Sequence, residues 1–123
     1  MANTYPKTPG ASTRYFTAYL ADVSAPSVAY IRPGFRGKIK SISGVLGGAI
    51  TGTNSTVTTK INTTAVTGGA LTVVQSGSAA GDVATATPTG ANTFTATDVI
   101  RLDSDGASST TATYYFTVEV EAV

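Results

Sequence analysis

From Tyr114 to Glu121 the sequence reads Tyr-Tyr-Phe-Thr-Val-Glu-Val-Glu. Tyr114, Phe116, Val118 and Val120 fall on one side of an extended chain, and Tyr115, Thr117, Glu119 and Glu121 on the other. A period of two belongs to a strand. A strand with one apolar and one wet face belongs to an antiparallel sheet whose inner face is covered by a second layer. The rest of the chain agrees. It holds 23 Thr, 12 Val and 6 Ile against only 4 Leu, and 13 Gly and 5 Pro to supply turns. β-branched side chains fit a pleated surface and lose rotamer freedom in a helix, and no segment shows helical periodicity. The sequence predicts an all-β antiparallel sandwich, jelly-roll-like, of about eight short strands. A length of 123 residues suits one domain.

Residues 1–12, "MANTYPKTPGAS", have no periodicity and contain two prolines, so they read as an extended arm ahead of a sandwich over 13–123. Strands are expected over 13–21, anchored by Tyr15, Phe16, Tyr19 and Leu20, and over 27–32. Pro33-Gly34 then favours a type II turn. The segment 37–50 reads as a longer strand whose Ile39 and Ile42, three apart, break the alternation; a bulge near residues 41–44 would restore it. Over 55–62, Val57, Thr59 and Ile61 alternate with Thr56, Thr58 and Lys60. Residues 65–74 read as strand, Gly-Gly turn, strand. The segment 81–92 is a short strand or extended piece, 93–102 a strand, and 103–106, "DSDG", a turn.

The chain has no His and no Cys. An imidazole base, a thiol nucleophile, a disulfide and a thiolate metal site are all excluded. No spacing of the seven acids marks a paired-carboxylate site. "DSDG" stops short of the ligand count of a calcium loop, and "GGAITGTNST" lacks the lysine and helix of a phosphate cradle. Two glycosylation sequons, at Asn54 and Asn62, carry no weight in a chain whose first residues show no secretory signal. No apolar run is long enough to span a membrane. The expectation is a protein that is not an enzyme and has neither metal nor cofactor.

Charge is sparse and uneven. Residues 1–60 carry seven basic groups against Asp22; residues 61–123 carry Arg101 against six acids. The densest basic stretch is "YIRPGFRGKIKSI", with Arg32, Arg36, Lys38 and Lys40. A pI near 8.0 and one aromatic inside the loop, Phe35, argue against nucleic acid. Glu119 and Glu121 have the same two-residue spacing as Lys38 and Lys40, so the four could match across an antiparallel pair at roughly 0.2–1 kcal/mol each. A subunit contact, basic on one surface and acidic on the next, is the third reading.

The segments "FRGKIKSISGVLGGAIT", "VTTKINTTAVTGGALTV", "SGSAAGDVATATPTGAN" and "ATDVIRLDSDGAS" resemble small bacteriophage virion proteins, the capsid decoration (cement) and head-fibre subunits. The resemblance covers about residues 35–120. It implies an all-β subunit, usually trimeric, assembled in the host cytoplasm and bound to the capsid exterior. Its partners would be the major capsid protein and copies of itself, with no nucleic acid and no membrane. On this reading Tyr5, Pro6 and Lys7 of the arm, with Arg14, contact the shell or a neighbouring subunit. Arg32, Arg36, Lys38 and Lys40 serve subunit or lattice contacts, or internal ion pairs. The alternative is a fibre, carbohydrate- or receptor-binding module, which would need exposed aromatics gathered on one face; Tyr5, Tyr15, Tyr19, Tyr30 and Tyr115 are candidates that the sequence alone does not bring together.

Overall fold

A computed structural model describes residues 12–123. Among them are nine strands and no helix: β1 (Thr13–Leu20), β2 (Ser27–Ile31), β3 (Gly37–Leu46), β4 (Ser55–Ile61), β5 (Thr64–Val73), β6 (Val83–Ala86), β7 (Thr93–Phe94), β8 (Ile100–Ser104) and β9 (Tyr114–Ala122). One sheet has the order β1-β9-β3-β6, with β7 also pairing β3; the other has the order β2-β8-β4-β5. Every pairing is antiparallel. The chain is therefore an antiparallel β-sandwich, as its alternation requires; this strand order does not by itself establish a jelly-roll winding.

The core lies between the sheets. Strand β9 sits in the middle of the first sheet and buries Tyr114, Phe116, Val118 and Val120, while Tyr115 and Thr117 stay in water. Strand β4 buries Val57, Thr59 and Ile61. In β1 the alternation selects Phe16 and Leu20 for the inside; Tyr15 and Tyr19, expected as anchors, point out and are exposed. Ile39 and Ile42 are both fully buried because β3 carries a register shift between Ile39 and Ser41. The extra residue is Lys40, slightly earlier than the expected bulge. Asn92 holds the irregular backbone: its amide donates to Ile39 O (2.8 Å) and its carbonyl accepts from Ile39 N (2.9 Å).

Three expectations change. The reversal between β4 and β5 is made by Asn62-Thr63, with Asn62 at φ 56°, and not at Gly68-Gly69. Strand β5 runs through those glycines because the chain passes Val66 and Thr59 too closely for a side chain at Gly69. Residues 93–102 form two strands, since the Asp98 carboxylate accepts from Thr95 N (2.8 Å) and Asn62 Nδ2 (2.9 Å) and turns the chain between β7 and β8. Strand β3 ends at Leu46, and Gly47 N donates instead to Thr113 O (2.7 Å).

The two ends of the sandwich are closed differently. At the end where β1 passes to β2, Val23 is buried as a plug, and its carbonyl accepts from Ser104 Oγ (2.6 Å) and Ser55 Oγ (3.3 Å). Ser55 Oγ lies 2.5 Å from Ser108 Oγ. This small hydroxyl network satisfies backbone that would otherwise be orphaned in the core. At the opposite end Phe35 stacks on Phe16 (6.0 Å between ring centroids) and meets Phe94 edge-on (5.9 Å). Pro33 and Gly34, the latter at φ 79°, turn the chain so that Phe35 reaches that position. Phe35 is thus committed to packing and is not free to stack on a base.

Candidate interaction surfaces

The sequence-predicted cations converge. Arg14 stands at the start of β1, Arg32 just beyond β2, Arg36 just before β3, and Lys38 and Lys40 on the first turns of β3's pleat. The antiparallel register places all five at the Phe35-capped end, where β9 finishes: Lys38 pairs with Glu121, Arg14 with Val120, and Val123 N donates to Arg36 O (3.1 Å). All five are exposed. Ser12, at the boundary of the described residues, is at this end too; its carbonyl accepts from Ala122 N (3.0 Å). Tyr5, Pro6 and Lys7 lie outside the described residues.

The expected match of Lys38 and Lys40 with Glu119 and Glu121 is only partly realised. Strand β3 does pair with β9, and Lys38 is opposite Glu121. The bulge takes Lys40 out of register, so Ser41 stands opposite Glu119 and donates to its carboxylate (3.0 Å). Among the described residues the ion pairs within 4 Å are Lys60–Asp103 (3.1 Å) and Arg101–Asp103 (3.2 Å), on the outer face of the other sheet. The five cations at the Phe35-capped end have none. At the serine end, Asp22, Asp82 and Asp105 each accept backbone N–H groups in turns. The charge split seen along the sequence is not a split between the two ends: Asp98, Glu119 and Glu121 stand toward the end that carries the five cations, where Asp98 accepts from Thr95 N and Asn62 Nδ2 and Glu119 from Ser41.

A second surface was not legible in the sequence. Where edge strands β1 and β2 come side by side, a groove of about 630 Å³ is lined by Tyr19, Tyr30 and Tyr115 together with Thr17 and Thr117. The tyrosines are 64%, 64% and 52% exposed. Tyr19 and Tyr115 pair directly across β1 and β9, with ring centroids 6.4 Å apart. The Arg101 guanidinium lies 5.8 Å from the centre of the Tyr30 ring, close enough for cation–π attraction, and Asp103 holds that guanidinium in turn. Among the described residues no charged side chain lines the groove. A smaller cavity of about 300 Å³ between β5 and β6 has a mixed lining, with Leu46, Val73 and Val83 beside Thr72, Ser76 and Asp82, and it also meets Tyr114. The Tyr114 hydroxyl is buried without a partner among the described residues, and burial pushes its pKa up to about 12.

The carboxylate of Asp98 is held below the ordinary range, chiefly by the Asn62 amide and then by Thr95 N–H. Its oxygens are occupied by those turn contacts, which makes it a structural acid. The described residues contain no group of three or more His, Cys, Asp or Glu side chains placed to share a metal ion. Comparison with known proteins finds no matching family model, no matching characterised protein and no matching solved structure.

Proposed function

We propose that the chain is a structural virion protein of a bacteriophage, a non-enzymatic trimeric subunit that decorates the capsid exterior and stabilises it. The same reading takes the two-sheet slab as a jelly-roll relative. The observation that carries it is the gathering of Arg14, Arg32, Arg36, Lys38 and Lys40, none of them ion-paired, at the end of the sandwich from which the arm departs. An unpaired basic end suits an acidic surface repeated on the major capsid protein, where charge complementarity fixes orientation and speeds encounter.

A subunit that binds the assembled lattice and not its loose parts shifts the shell toward assembly by mass action. Three copies joined around an axis convert weak single contacts into firm attachment. The test is binding to empty heads. The triple variant Arg36→Glu, Lys38→Glu, Lys40→Glu should bind at least about ten-fold more weakly, and the parent should lose affinity steeply with added salt. Removal of residues 1–12 should abolish attachment and leave the fold intact. Attachment that ignores both changes would sink the proposal.

A further inference from the structure

We infer that the tyrosine groove receives the arm of a neighbouring copy, through its Tyr5-Pro6-Lys7-Thr8-Pro9 segment; the inference rests on the oligomeric part of the proposed function. The arm has the spacing Pro-x-x-Pro. In the polyproline II conformation three residues make one turn and advance about 9 Å, so Pro6 and Pro9 lie along one edge. Grooves lined by exposed aromatics recognise such an edge, because each proline ring packs on the face of an aromatic ring and the fixed φ lowers the entropy lost on docking.

The groove supplies the complement. Tyr19 and Tyr115 form one wall and Tyr30 contributes from the neighbouring sheet, with the Arg101–Asp103 pair fixing its ring. Thr17 and Thr117 offer hydroxyls to the carbonyls of a chain that has no internal hydrogen bonds. Glu119 lies two residues beyond Thr117 on the same face of β9, about 7 Å along the strand, and is opposite in charge to Lys7. A phosphate-bearing ligand fits less well: the groove has no cation in its lining, and the nearby Arg101 and Lys60 are both tied to Asp103.

The direction of the chain selects a second copy as the donor. Ser12 continues the line of β1, held by Ala122 N and by the Thr13–Glu121 pairing, and so leads away from the groove. To reach its own Tyr19 the arm would have to reverse completely at Pro9–Ser12. Pro6 would then come back about 10 Å, roughly to the level of Phe16, three residues short of Tyr19. A neighbour's arm needs no reversal.

The experiment uses the full chain, with mass photometry for its oligomeric state and NMR for the tyrosine rings. Self-association should weaken at least about thirty-fold in Tyr19→Ala/Tyr30→Ala and equally in Pro6→Ala/Pro9→Ala. The two pairs combined should add little further, since each removes the same contact. A synthetic peptide of residues 1–12 added in excess should dissociate the oligomer and shift the ring signals of Tyr19, Tyr30 and Tyr115; the same peptide with both prolines replaced by alanine should do neither. An oligomer indifferent to these changes overturns the inference. So does a monomer whose ring signals move when Pro6 and Pro9 are replaced, which would place the arm in its own groove. Ring shifts produced by a saccharide and not by the peptide would overturn it as well. Head binding is scored separately. Arm-dependent oligomers that ignore heads would refute the capsid reading alone, and head binding unaffected by the tyrosine variants would refute the arm exchange alone.

Discussion

Replacing Tyr114 by Phe should leave the sandwich as stable or more stable at neutral pH and make it far less sensitive to alkali. Tyr114 opens β9, is 1% exposed, and lies edge-on to Phe116 at 5.2 Å. Its hydroxyl is buried with no hydrogen-bond partner among the described residues. An orphaned hydroxyl costs about 1–3 kcal/mol, so deleting it recovers part of that penalty. The alkaline effect follows from the raised pKa. Burial lifts the phenol from 10.0 to about 12. Below pH 10 the folded and unfolded chains both hold the proton, and the group contributes nothing to the pH dependence. Between the two values the unfolded chain loses the proton and the folded chain keeps it. The unfolded state then binds fewer protons, so stability falls as pH rises, by about 1.4 kcal/mol per unit and about 3 kcal/mol in all. Urea unfolding followed by circular dichroism, on parent and variant at about pH 7, 9 and 11, measures the difference. The remaining ionisable groups are common to both proteins and cancel. A gap between parent and Tyr114→Phe that is no larger at pH 11 than at pH 7 would refute the desolvated phenol. A loss above about 1 kcal/mol at pH 7 would show that the hydroxyl has a partner after all.

Gly44→Ala drives a methyl group into the Tyr114 ring and should cost about 1–3 kcal/mol in thermal unfolding, with the cost shrinking in a Tyr114→Leu background. Ser55→Ala removes the hydroxyl that accepts from Ser108 N (3.0 Å) and donates to Val23 O, and should lose about 1–3 kcal/mol by urea titration. Asp98 has a lowered pKa in the folded chain, so its contribution is present above the ordinary carboxylate range and lost as acid protonates it. Asp98→Asn should therefore show a smaller fall in stability between about pH 5 and about pH 2 than the parent, measured by thermal melts.

The parts of the fold visible in the sequence were those set by local pattern. The alternation of β9 and β4 sets which faces are buried, and the broken spacing of Ile39 and Ile42 calls for a bulge. What local pattern could not supply was competition between turns. Gly68-Gly69 is the stronger turn dipeptide, yet the chain reverses at Asn62-Thr63, because Asn62 accepts the left-handed conformation and its side chain also meets Asp98 and Val99 N. That contact spans more than thirty residues and is invisible to a local reading. The same applies to Asn92, a polar residue at the end of the 81–92 segment that the fold uses to stitch the bulge.

The basic end was half legible. The four cations of "YIRPGFRGKIKSI" are close in sequence and stay close in space, but Arg14 joins them only through the pairing of β1 with β9. The tyrosines show the opposite case. Tyr19, Tyr30 and Tyr115 come from three strands and two sheets, and no spacing could gather them; they meet because β1 and β2 are the edges of their sheets on the same side. The expected pairing of lysines with glutamates failed for a reason that bears on function. The bulge that buries Ile39 and Ile42 together also takes Lys40 out of register with Glu119, which turns instead to Ser41. Packing of the core was satisfied at the expense of a surface ion pair, a contact worth at most about 1 kcal/mol. On the proposed function the exposed charge that remains meets a partner, at the end of the slab where Ser12 leads into β1. Geometry imposed by two buried isoleucines thus leaves Lys40 without that carboxylate, so a variant that removes the bulge should create a Lys40–Glu119 contact and, on the proposed function, weaken attachment together.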